Sequence, residues 1–133
     1  MKWIFDDGGR SNYYRKLNVG DCVCRAISIA SESDYKEIYR LLKEYGGGES
    51  PRNGVYKEVY TALLKDMGWT WVPCSGKGVK NSNVHLRSDE LPRGRIICRV
   101  SKHLTCVVDG ELHDTYDCTR GGNRKVYGYW IKK

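Results

Sequence analysis

At 133 residues, 40% hydrophobic and 29% charged, the chain has an ordinary globular composition and is expected to form one domain over 1–133, burying roughly two-thirds of its unfolded surface. No apolar run reaches the roughly eighteen residues that a membrane span needs, which excludes a transmembrane helix. A net charge of +7 is spread from Arg10 to Lys133 without a block of about five or more like charges, so a solvated basic surface is favoured over a nucleic-acid face.

The start, Met1-Lys2-Trp3-Ile4-Phe5-Asp6-Asp7, carries an apolar stretch too short for a signal peptide and is cut off by two acids. The chain is therefore expected to stay in the cytoplasm. Without a secretory signal, the six cysteines (22, 24, 74, 98, 106 and 118) are expected to be reduced thiols rather than a disulfide framework.

Asp21 reads as the N-cap of a helix from Cys22 to about Ala30, which has few polar residues and should be buried. Ser33 or Asp34 caps a second helix. Asp34 and Glu37 have capping-box spacing there, and Tyr35, Ile38, Leu41, Leu42 and Tyr45 form an apolar stripe closed by Gly46. A third helix is expected from about Asn53 to Met67, with Val55, Val59, Leu63 and Met67 on one side. Gly46-Gly47-Gly48 and Ser75-Gly76-Lys77-Gly78 read as loops, and none of the glycine runs has the spacing of a phosphate-binding loop.

After Gly68 the period changes to strand alternation, over Trp69 to Pro73, Arg95 to Val100, His103 to Val108, Glu111 to about Tyr116 and Lys125 to Ile131. Helices followed by antiparallel strands predict an α+β domain with segregated layers.

Cys22 opens the first helix, where unpaired backbone amides and the positive end of the helix dipole favour a thiolate. It is the candidate nucleophile. Asn18, four residues upstream, is a candidate side-chain donor to an oxyanion. Cys24 is the competing nucleophile, but residues two apart on a helix point in different directions, and Cys24 lies deeper in the turn as a packing residue. Arg25 reads as a surface or tethering residue.

Asp109-Gly110 is a strong two-residue hairpin signal, and it fixes a register. Val108 then opposes Glu111, Val107 opposes Leu112, and Cys106 opposes His113. His103, Thr105, Val107, Leu112, Asp114 and Tyr116 share one face. His103 and Asp114 become diagonal neighbours within bridging distance, with His103 as general base and Asp114 as the carboxylate that orients it. Asp117 has the wrong parity for that role.

His113 falls on the opposite face with Cys106, outside this triad, and His85 reads as structural. Cys106 and His113, with Cys98 and Cys118 near in sequence, are a possible zinc set. No Cys-x-x-Cys or His-x-x-x-His knuckle is present, so no metal and no cofactor is expected.

With these residues in view, the chain resembles the papain-like cysteine peptidase clan, most nearly the double-glycine-leader peptidases that process bacteriocins. The shared pattern is an amide residue (Asn18), Asp-Cys opening a helix (Asp21-Cys22), a histidine followed by an apolar strand (His103-Leu104-Thr105-Cys106-Val107-Val108), and a second strand ending in aspartate (Leu112-His113-Asp114). Two departures stand out: Val23 replaces the usual glycine after the cysteine, and Asn18 stands where glutamine is usual. The chain also resembles small proteins of tailed bacteriophages across Arg52-Asn53-Gly54-Val55-Tyr56 and Val100-Ser101-Lys102-His103.

The resemblance implies a papain-like fold with N-terminal helices packed on a C-terminal antiparallel sheet. It implies a phage-encoded thiol hydrolase of the host cytoplasm, cleaving an amide, isopeptide or thioester bond in a protein or peptide substrate. The alternative is an inactive papain-like scaffold acting as a basic protein- or nucleic-acid-binding module, with tryptophans and tyrosines as stacking faces.

Overall fold

A computed structural model describes residues 1–14, 20–79 and 83–132. In chain order the elements are β1 (Trp3–Phe5), α1 (Cys22–Ser31), α2 (Tyr35–Tyr45), α3 (Lys57–Asp66), β2 (Trp69–Pro73), β3 (Arg95–Val100), β4 (His103–Val108), β5 (Glu111–Asp114) and β6 (Gly128–Lys132), with single 3₁₀ turns at Arg10–Asn12 and Arg120–Gly122. The fold is α+β. Among the described residues no helix is long and apolar enough to cross a membrane.

The strands form one six-stranded sheet in the order β1-β5-β4-β3-β6-β2. Four of its five pairings are antiparallel, whereas β1 runs parallel to β5, so the sheet is mixed rather than wholly antiparallel and C-terminal. The departure comes from the stretch read only as too short for a signal peptide. Three residues show no periodicity, yet pairing Trp3 with Leu112 and Phe5 with Asp114 gives their backbone polar groups partners along the edge of β5.

α1 is apolar nearly all round, and every residue from Val23 to Ala30 is buried against α2 and the sheet. It ends at Glu32, whose positive φ of 53° lets the Ser33 amide donate back to Ser28 O. α2 buries Tyr35, Ile38 and Leu42, as its stripe requires, while Tyr45 is exposed and donates from its hydroxyl to Asp66. The Asp34–Glu37 capping box does not form. Asp34 accepts from the Tyr13 hydroxyl and Glu37 pairs with Arg40 in the next turn, an exposed pair with a competing charge. α3 begins four residues later than its apolar spacing suggests, because Asn53 bridges to Gly20 and Gly54 sits at φ 99°, outside the helical region.

The sheet separates two cores. Ile97, Leu104, Cys106 and Trp130 face the helices, whereas Ile96, Cys98, Val100, Val107 and Leu112 face Leu86, Leu91 and Val126 on the other side. The β4–β5 hairpin has the expected register, with Val108 opposite Glu111, Val107 opposite Leu112 and Cys106 opposite His113. Its turn places Asp109 at φ 48° and Gly110 at φ 80°, the pair of positive angles that matches the twist of the flanking strands.

Candidate active site

The hairpin parity puts His103, Thr105 and Asp114 on the same face as Val107 and Leu112. β4 begins at His103 and β5 ends at Asp114, so the polar members of that face gather at one end of the sheet. The N-terminus of α1 reaches the same end and brings Cys22 and Arg25 to them.

His103 and Asp114 meet directly. Nε2 of the imidazole is 2.7 Å from Oδ2 of Asp114, with both side chains more than nine-tenths buried. The Thr105 hydroxyl donates to the same oxygen at 2.7 Å, and the Thr115 amide donates to Oδ1 at 2.7 Å. The carboxylate is thereby fixed and cannot rotate away from the ring. Burial pushes the Asp114 carboxyl up, but the hydrogen bond and charge of His103, with Thr105 and Thr115, bring it below its ordinary value.

Because Asp114 occupies Nε2, Nδ1 is the nitrogen left for the thiol of Cys22. Burial pushes that thiol up, but its hydrogen bond to His103, the imidazole charge, the Leu104 amide and the Arg25 guanidinium outweigh it, so Cys22 lies below the ordinary thiol value. His103 moves the other way. Burial disfavours its charge, yet Asp114, Cys118 and Cys22 hold it protonated up to about 12. The opposite shifts of these neighbouring groups favour a thiolate–imidazolium pair over the neutral thiol and imidazole. Tyr116, largely exposed, lies against the imidazole at a centroid distance of 5.4 Å and covers one side of it.

Cys24 has no such environment. It is fully buried, its Sγ is 3.6 Å from Tyr35 O, and desolvation pushes its thiol up to about 12. Asn18 lies outside the described residues.

Asp21 departs from its expected role as a cap. Its side chain makes no hydrogen bond to the α1 amides and is wholly buried, forming an ion pair with Arg10 at 3.2 Å and accepting from Arg25 and from the Tyr35 hydroxyl at 2.6 Å. Of the surface and tethering roles read from sequence, Arg25 takes the tethering one: it is buried and bridges Asp21 to Asp114. Its position four residues after Asp21 was the available signal, since that spacing places a guanidinium over a carboxylate on a helix.

Cys118 is a residue that sequence spacing missed. Its Sγ is buried 3.7 Å from Asp114 Oδ2. His103, Asp114 and Cys118 have ligand atoms within 4.8 Å of one another, the one such grouping among the described residues. The donor set does not suit a cation, because Asp114 is already engaged by His103, Thr105 and Thr115 and lies 3.6 Å from the Arg25 guanidinium. The zinc set weighed from sequence does not assemble. Cys106 faces the helices while Cys98 and Cys118 lie in the opposite core, and His113 Nδ1 is 3.1 Å from Asp6.

Cys22 and His103 open on a cleft of about 320 Å³, bounded by Gly54 and Val55 before α3, Tyr60 on α3, and Arg99 to Leu104 across the β3–β4 turn. The site therefore joins a thiol with a lowered pKa, an imidazole held by a carboxylate, and an open cleft beside them. No protein-family model, curated protein or solved structure matches the chain.

Proposed function

We propose that the protein is a papain-like thiol hydrolase that cleaves an amide, isopeptide or thioester bond through Cys22, His103 and Asp114. One observation carries the reading: His103 is held on Nε2 by Asp114 at 2.7 Å and presents its other edge to Cys22 in an open cleft. In this mechanism the Cys22 thiolate adds to the substrate carbonyl and the protonated His103 gives its proton to the leaving group. An acyl-enzyme results. His103 then takes a proton from water, the hydroxide attacks the thioester, and the free acid leaves as Cys22 returns to thiolate. Amides of the first turn of α1 are candidate backbone donors for the oxyanion, with the Asn18 side chain as a further candidate. The motif resemblance supports a phage-encoded peptidase acting on a protein or peptide in the host cytoplasm.

Iodoacetamide alkylation at about pH 6, well under the ordinary thiol pKa of roughly 8.5, followed by mass mapping, tests the assignment. Cys22 is expected to be labelled at least about tenfold faster than any other thiol, and the advantage to vanish in His103→Ala. Since the other five thiols are buried, labelling of Cys22 no faster than theirs, or a rate unchanged in His103→Ala, would sink the reading and leave the inactive scaffold in its place.

A further inference from the structure

The walls of the cleft are charged in one sense. Among its lining residues Arg99, Lys102 and His103 are basic, and none is acidic. Arg99 lies midway along β3 on the same side of the sheet as Ile97, facing the helices. Its guanidinium lies over the Tyr127 ring at 5.7 Å, and the Tyr60 hydroxyl sits beside both Arg99 and the Cys22 thiol.

Among the described residues no carboxylate forms an ion pair with Arg99, and the residues outside them carry no acidic side chain. The contrast with the rest of the site is sharp, because Arg10 and Arg25 are both committed to Asp21. A half-buried guanidinium held between two tyrosines, with its fork unmatched by an anion, is suited to receive a carboxylate in bidentate geometry. A cleft of about 320 Å³ is at the small end of ligand pockets, so a group docked on Arg99 belongs to a residue next to the scissile bond.

We infer that the substrates of this protein carry glutamate or aspartate beside the scissile carbonyl, with Arg99 as the docking cation. The inference rests on the thiol-hydrolase reading and names its substrate class. Lys102, at φ 56° in the exposed β3–β4 turn, adds longer-range attraction at the mouth.

The test uses matched dipeptidyl vinyl sulfones bearing Glu, Gln or Lys at either of their two positions. The Cys22 thiolate adds to the vinyl carbon β to the sulfone, a carbon–sulfur bond forms as the π bond opens, and the carbanion α to the sulfone takes the proton of His103, with no leaving group. Alkylation is followed by intact mass on the full chain, and the readout is the ratio of Glu-probe to Gln-probe rate. That ratio is expected to be about tenfold or more in wild type at one of the two positions. It should fall to about one in Arg99→Gln and rise in favour of Lys over Glu in Arg99→Glu.

A wild-type ratio near one at both positions overturns the inference, and so does a preference that survives in folded Arg99→Gln. Should that variant fail to fold, wild type at about 0.05 M and 0.5 M salt serves instead. The ratio then falls with salt, or the inference is wrong. Failure of Cys22 to react even with iodoacetamide at about pH 6 overturns the hydrolase reading together with this one, whereas normal iodoacetamide labelling without acidic preference overturns this one alone.

Discussion

Arg25 Nη2 lies 3.6 Å from Asp114 Oδ1, so the carboxylate that orients the candidate base is tied through one guanidinium to the start of the helix that carries the candidate nucleophile. The other end of the same guanidinium binds Asp21, which also holds Arg10 and Tyr35. Removing one partner from a buried network leaves an uncompensated charge and costs roughly 3–5 kcal/mol. Arg25→Gln is therefore expected to lower the urea midpoint markedly. It should also raise the apparent pKa of Cys22, since Arg25 is one of the charges that depress it. The alkylation pH profile separates the second effect from mere loss of stability. A profile unchanged in the fraction that remains folded would assign Arg25 a packing role alone.

The thiolate pair makes a signed prediction about pH. Cys22 lies below its ordinary value and His103 is raised to about 12, so between the two the site holds S⁻ and imidazolium together. Alkylation should stay fast well below about pH 8.5, falling only when acid protonates Cys22. In His103→Ala the hydrogen bond and the charge disappear while burial remains, so the profile should move up to or beyond an ordinary thiol, with at least about a tenfold loss of rate near pH 6. Cys24→Ser should leave the profile in place, because Cys24 faces Tyr35 and takes no part in the pair.

The His103–Asp114 contact was legible in the sequence because a two-residue turn dictates register and register dictates parity. Both are local facts of one hairpin. The limits of α1 and α2 were legible for similar reasons, in apolar spacing and in the stop after Tyr45. For Arg25 only a surface or tethering role was legible, because its partner Asp114 arrives from a strand far along the chain. β1 was missed because three residues have no period, and its pairing with β5 depends on an edge that exists only once the hairpin is built. The approach of Cys22 to His103 joins two distant segments, and no local pattern encodes it.

Asp114 should mark the acid limit of the fold. Its folded pKa is depressed, so it contributes stability that is present above the ordinary carboxylate value of about 3.9 and is lost as pH falls through the lower folded value. His103 has the reverse sign: its contribution is complete below about 6.5 and is lost as pH rises towards about 12. Denaturant unfolding across pH should therefore show stability falling on the acid side, with a shallower slope in Asp114→Asn. An identical acid slope in the variant would place the protons taken up on unfolding elsewhere.

Gly128 gives a prediction about the helix-facing side of the sheet. It opens β6 opposite Pro73 and Arg99, and the Trp71 ring lies across it, so a Cβ added there would stand 2.2 Å from Cη2 and 2.9 Å from the Val72 carbonyl oxygen. The indole cannot simply withdraw, because it packs against Trp130 with ring centroids 4.4 Å apart and planes tilted by 52°, and Trp130 belongs to the helix-facing core. Gly128→Ala is therefore an overpacking change, expected to cost about 1–3 kcal/mol by urea unfolding. Trp71→Ala removes the nearest obstacle but leaves the Val72 oxygen, so a double-mutant cycle should recover part of the loss and not all of it. Strict additivity of the two substitutions would show that the indole moves freely, and the aromatic pair would then not be what reserves this position for glycine.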